Sequence, residues 1–141
     1  MTVKIKLDPG AKMAKMPTRA HRWDAGLDLY AKDGTILHRY SHETIGTGLH
    51  IMIPPGFVGF VKPRSGLMSK NGILTDGTID PGYTGEIMVT LFNCGDVPVQ
   101  IRAGDRIAQL VVLPVAFCDL VQVEELDETE RGSNGFGSTG R

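Results

Sequence analysis

Short runs of alternating apolar and polar residues, broken by glycine and proline, make up most of this chain of 141 residues. A period of two marks half-buried strands. Strands are read at Val3–Leu7, Gly26–Ala31, Thr44–Ile53, Phe57–Pro63, Gly85–Asn93, Val99–Arg102, Arg106–Leu113 and Leu120–Glu124. Turn formers separate them at Asp33-Gly34, Pro54-Pro55-Gly56, Pro81-Gly82, Cys94-Gly95-Asp96 and Ala103-Gly104-Asp105. One stretch reads as a short helix, with Ser65 as its cap, Gly66–Lys70 as its body and Asn71-Gly72 as its stop. Many short strands with such turns predict an all-β sandwich or barrel of jelly-roll type. No repeat of solenoid length interrupts this reading. Leu110–Val115 is continuously apolar, as in a strand buried on both faces. A second subunit or an internal core would each cover it.

The tail, residues 131–141, breaks the alternation. It sets Arg131, Phe136 and Arg141 among glycine, serine, threonine and one asparagine. A disordered terminus is one reading. A phosphate-binding P-loop fails, because no Lys precedes Ser138 and no room remains for a following helix. A flap is the other reading. Glycine N–H groups wrap anionic oxygens, Arg131 offers a planar cation for phosphate, and the Phe136 ring stacks on a base.

Three further segments carry chemistry. Pro63-Arg64-Ser65-Gly66 joins a strand to the helical turn, as an anion site or as a plain cap with a surface Arg. Gly77-Thr78-Ile79-Asp80-Pro81-Gly82-Tyr83 reads as a strand, a turn and a Tyr at its exit. Its Asp80 serves either to orient a water or simply to form the turn. Gly104-Asp105 opens another strand, in which Gln109 needs a polar partner if buried. Met68 and Met88 read as packing residues. The four histidines show neither metal spacing nor a Ser/His pairing.

Composition narrows the class. The length suits one domain with a real core. Lys plus Arg number 15 against 16 Asp plus Glu, so no basic surface argues for nucleic acid. Residues 1–22 carry six basic groups and one acidic; residues 119–130 carry six acidic groups and none basic, read as two solvated ends. Cys94 and Cys118 form no CxxC pattern and read as small apolar strand residues. The alternating start excludes a signal peptide, and no apolar run reaches membrane-spanning length. A cytoplasmic protein with no membrane partner is expected.

In order, five segments resemble the motifs of the trimeric dUTPases (dUTP diphosphatases): Ala25–Ala31, Pro63–Leu67, Gly77–Gly85, Gly104–Gln109 and Arg131–Gly140. The resemblance implies a distorted jelly-roll body over residues 1–126, a flexible flap over 127–141, and a homotrimer with shared active sites. It implies hydrolysis of dUTP to dUMP and pyrophosphate, which keeps uracil out of DNA and supplies dUMP for thymidylate synthesis. By the same resemblance Asp80 would activate the attacking water and touch the sugar 3′-hydroxyl. Tyr83 would exclude a 2′-hydroxyl. Gly77, Thr78 and Ile79, returning through Met88, would read uracil. Arg64, Ser65, Gly66 and Gln109 would hold phosphates. Asp28 would sit near Mg²⁺ through water, the ion being held mainly by the triphosphate. Phe136 and Gly137 would contact the substrate, Phe136 by stacking on uracil, and Arg131 would reach the phosphates from a neighbouring subunit.

Two departures stand out. The stretch from Leu67 to Gly77 is shorter than in many relatives and places Asp76 where a small or neutral residue is expected. Pro81-Gly82 replaces an acidic pair. The Asp-Pro-Gly-Tyr string also resembles the dCTP deaminases. Those enzymes carry a catalytic Glu in the next strand, where this chain has Thr90. A non-catalytic binding protein on the same fold is a further alternative, against which the intact Asp80 and tail argue.

Overall fold

The computed structural model describes residues 1–135. Ten strands and one helix run in the order β1 (Lys4–Leu7), β2 (Leu27–Tyr30), β3 (Thr35–Leu37), β4 (His42–Met52), β5 (Phe57–Lys62), α1 (Ser65–Asn71), β6 (Ile73–Leu74), β7 (Gly77–Ile79), β8 (Glu86–Asn93), β9 (Val99–Ile101) and β10 (Arg106–Pro114). They form one four-stranded sheet of order β1-β4-β8-β6, a second of order β2-β10-β5-β7, and the pair β3-β9. Every pairing between named strands is antiparallel.

The inner faces of the two larger sheets meet as in a sandwich. Ile45, Leu49 and Ile51 of β4 and Ile87, Val89 and Leu91 of β8 are buried from one side. Leu29, Val61, Ile107 and Leu110 are buried from the other. In β8 the alternation is complete: Ile87, Val89, Leu91 and Asn93 point inward, while Met88 and Phe92 face out. Asn93 is affordable in the core because its amide donates to the carbonyls of Leu37 and Val97 and its oxygen accepts from Gly95 N–H.

β4 departs from strict alternation. A bulge between Gly46 and His50 shifts its register against β8. Gly48 sits there at φ +66°, and a Cβ on it would come within 2.7 Å of Ala14 Cβ. The 8–16 loop packs this closely only because residue 48 is glycine.

The predicted architecture holds, with five corrections. No strand forms over 120–124; Leu120, Val121 and Leu126 are exposed at 80 % or more, with no partner strand among the described residues. Cys94 and Cys118 are exposed and lie outside strands. Met68 and Met88 are 45 % exposed rather than packed. An internal core does not cover Leu110–Val115: Leu110 is inaccessible but Leu113 is 45 % exposed, which leaves the second-subunit reading of this run. Finally, the residue at the N-cap of α1 is Arg64, in extended conformation, so Ser65 is the first helical residue and not the cap. Gly72, at φ +66°, ends the helix as expected. Among the described residues no helix is long and apolar enough to cross a membrane.

Candidate active site

Cross-strand register assembles the first part of the site. Asp28 of β2 lies opposite Gln109 of β10, and Gln109 lies opposite Lys62 of β5. Directly paired residues share a face, so three polar side chains from distant segments stand in one row. Asp76, just before β7, closes the row with a 2.5 Å contact to Lys62 Nζ. That contact, ahead of the Gly77 backbone N–H, holds the Asp76 carboxyl below its ordinary value. Asp76 is 75 % exposed, so solvent screens the pair and it adds little stability.

Asp28, Gln109 and Lys62 line an open cavity of about 530 Å³, together with Asp24, Gly26, Arg64, Ser65, Gly66 and Arg106. Asp28 organises its cations. Its Oδ1 accepts from Arg64 Nε at 3.0 Å and its Oδ2 from Arg106 Nη1 at 3.3 Å. The Asp28 side chain is only 14 % exposed, which favours keeping both partners. Gln109 Nε2 donates to the Pro63 carbonyl at 2.9 Å, supplying the partner its position requires. Gly26 makes room for that side chain: a Cβ there would sit 2.0 Å from Gln109 Oε1. With Ser65 and Gly66 exposed at the mouth, the cavity offers guanidinium, ammonium, amide and hydroxyl donors to an anion. Arg64, Ser65, Gly66, Gln109 and Asp28 are thus brought together as expected from sequence. Lys62 and Arg106 were missed. The available signal was adjacency, Lys62 lying beside Pro63-Arg64 and Arg106 beside the Gly104-Asp105 turn.

Asp80, Tyr83 and Met88 stand elsewhere. β7 runs antiparallel to β5, with Gly77 opposite Val61 and Ile79 opposite Gly59. Asp80 therefore lies four residues from the Lys62–Asp76 row, about 13 Å along the strand. It is exposed at the strand exit. The turn beyond it is firmly held: Gly82, at φ +82°, donates to Ile53 O at 3.1 Å, and Tyr83 N–H donates to Asp80 O at 3.2 Å. Tyr83 Oη donates to Glu86 O, and its ring occupies the space that a side chain on Gly85 would need. Thr78 is exposed and Ile79 is buried. Nearby, Thr75 Oγ1 is buried without a hydrogen-bond partner. Among the described residues Arg131 is exposed, its Nε donates to Asn134 O at 3.1 Å, and it does not line the cavity. Phe136 and Gly137 lie outside the described residues.

The donor set also bears on Mg²⁺. Among the described residues no cluster of three or more His, Cys, Asp or Glu side chains could hold a metal. Both Asp28 oxygens already accept from arginines. These residues do not build a resident metal cage. At the position a deaminase gives to Glu, Thr90 makes a 2.9 Å hydroxyl contact with Thr44 across the strands.

The family model described as dUTPase matches residues 12–140. The deoxyuridine 5′-triphosphate nucleotidohydrolase of Corynebacterium efficiens is 47 % identical over 141 residues, covering 97 % of this chain and 76 % of that protein. Its counterpart in Nocardia farcinica is 48 % identical over 139 residues, covering 96 % and 82 %. Among solved structures, the Staphylococcus bacteriophage 80alpha dUTPase with dUpNHpp superposes with a TM-score of 0.93 at 33 % identity, covering 99 % of each chain. A mutant of the phage phi11 dUTPase, described with a structural Mg(II) ion, superposes at 0.82 with 30 % identity, covering 89 % of this chain and 98 % of that one. The family model and these relatives, matched over nearly the whole chain, settle the family: the chain belongs to the dUTPases, enzymes that hydrolyse deoxyuridine 5′-triphosphate.

Proposed function

We propose that the chain cleaves dUTP to dUMP and pyrophosphate by attack of water on the α-phosphorus. Asp80 orients and deprotonates that water and contacts the 3′-hydroxyl. The cavity row, with Arg64, Ser65, Gly66 and Gln109, receives the phosphates. Lys62 and Arg106 add to its positive field. Tyr83 packs on the deoxyribose. Uracil is read by the main chain of Gly77, Thr78 and Ile79, returning through Met88.

The observation that carries this reading is the division of the site. A cation-lined cavity lies at one end of the sheet, and an acid with an aromatic neighbour is displaced from it along β7. Complete sites then arise between subunits of a homotrimer, with Arg131, Phe136 and Gly137 closing over them from a tail beginning near residue 127. The half-exposed apolar strand β10 supports such packing. Mg²⁺ enters with the triphosphate as part of the substrate, and Asp28 meets it through water. The product supplies thymidylate synthesis and the reaction keeps uracil out of DNA, as befits a cytoplasmic enzyme.

Pyrophosphate release measured across dUTP, dTTP, dCTP and UTP tests the specificity; only dUTP should turn over well. Asp80→Asn should lower kcat by about 10² to 10⁴ while leaving substrate binding. A full rate in that variant would refute the assignment.

A further inference from the structure

Behind the Asp80–Gly85 turn stands a polar dyad that the proposed chemistry does not use. His50 is the last residue of the β4 bulge. It lies opposite Lys6 of β1 and Glu86 of β8. Its Nδ1 is 2.8 Å from the Thr84 carbonyl oxygen, and its Nε2 is 2.9 Å from Asp8 Oδ1. Thr84 directly follows Tyr83.

Both partners are acceptors. A carbonyl has no proton to give, and an ionised carboxylate has none either. Both contacts are therefore hydrogen bonds only when both ring nitrogens carry protons, as in the imidazolium. A neutral ring keeps one bond and turns a lone pair toward the other oxygen. The surroundings decide which form prevails. Asp8 favours the charge, whereas Lys6, facing His50 from β1, opposes it. Lys4, two residues along the same strand, lines the same small cavity. Glu86 also faces His50, but its oxygens are engaged by Lys32 Nζ and Gly48 N–H. The net effect raises the His50 pKa above its ordinary value, through the Thr84 carbonyl first and Asp8 second.

We propose that His50, in its charged form and oriented by Asp8, is a positioning residue that fixes the Thr84 carbonyl and so the Tyr83 ring, making discrimination against ribonucleotides depend on pH. The inference rests on the reading of Tyr83 as the group that excludes a 2′-hydroxyl. The linkage has a definite sign. A group whose folded pKa is raised contributes fully at low pH and loses its contribution as pH rises through the folded value. The turn is held most firmly on the acidic side and loosens toward alkaline pH.

The test compares kcat and KM for dUTP and UTP from pH 6 to 9 in wild type, His50→Ala, His50→Gln, Asp8→Asn and Tyr83→Ala. Wild-type preference for dUTP should fall by about five- to ten-fold across the His50 titration, the worth of one hydrogen bond. His50→Ala should show the low preference at every pH. His50→Gln should be intermediate and flat with pH, since its amide donates without titrating; it carries the test if the Ala variant fails to fold. Asp8→Asn should move the wild-type transition to lower pH, seen in parallel by NMR titration of the His50 ring. If Tyr83→Ala leaves the dUTP/UTP ratio unchanged, the reading of the sugar pocket is wrong. If Tyr83→Ala collapses the ratio while both His50 variants keep the wild-type ratio and pH profile, the positioning role is refuted.

Discussion

Gly26→Ala tests how closely the cation-lined cavity is built. The added Cβ would sit 2.0 Å from Gln109 Oε1, 2.9 Å from Cδ and 3.1 Å from Cβ. The amide end can swing away, but the Cβ is fixed to β10 and must give by a few tenths of an ångström. Swinging breaks the 2.9 Å bond from Nε2 to Pro63 O, worth about 1 kcal/mol. An off-rotamer side chain adds about 1 kcal/mol. The expected loss is about 2 kcal/mol, or roughly 7 °C in Tm for a chain of this length. Removal of the Gln109 amide from the cavity should also lower kcat/KM for dUTP about ten-fold. Calorimetry and pyrophosphate release read the two effects. The decisive measurement is the double variant. Gln109→Ala removes the Oε1 and Cδ clashes and keeps only the 3.1 Å approach to Cβ, so in that background Gly26→Ala should cost less than about 1 kcal/mol. Equal costs of Gly26→Ala in both backgrounds would refute the reasoning.

Other expectations follow from the same geometry. Burial pushes the Glu86 carboxyl up, but Lys32 and the Gly48 N–H outweigh it and leave the carboxyl below its ordinary value. Its contribution is present above the unfolded value and is lost as pH falls through the folded one, so urea midpoints should drop in acid, and less steeply in Glu86→Gln. Deletion of residues 131–141 should lower turnover by roughly a hundred-fold or more while light scattering still shows a trimer. Excess chelator should sharply reduce dUTP turnover; near-full rates would show that the triphosphate needs no divalent ion here.

The longer strands were legible because alternation survives over five residues or more, as in β8. β3 and β6 were not, since Thr35–Leu37 and Ile73–Leu74 are too short for a period to show. They are defined by pairing to Val99–Ile101 and to Phe92–Asn93, which sequence does not disclose. The opposite error arose over residues 120–124, where apolar residues lie among acidic ones yet no neighbouring strand among the described residues offers a ladder. Arg64, Gln109 and Asp28 stood out through their motifs. Lys62 and Arg106 did not, because their membership depends on register, and register is a long-range property of the sheet. The Asp8–His50 contact, spanning 42 residues, was invisible for the same reason.

The distance between Asp80 and the cation-lined cavity has a genetic consequence. In the proposed trimer, an Asp80→Asn chain still brings an intact cavity, and an Arg64→Ala chain still brings an intact Asp80. Co-expressed or refolded together, two inactive proteins would assemble some sites whose halves are both wild type. Activity would reappear in the mixture and in neither parent, so the split seen in one chain becomes complementation between alleles.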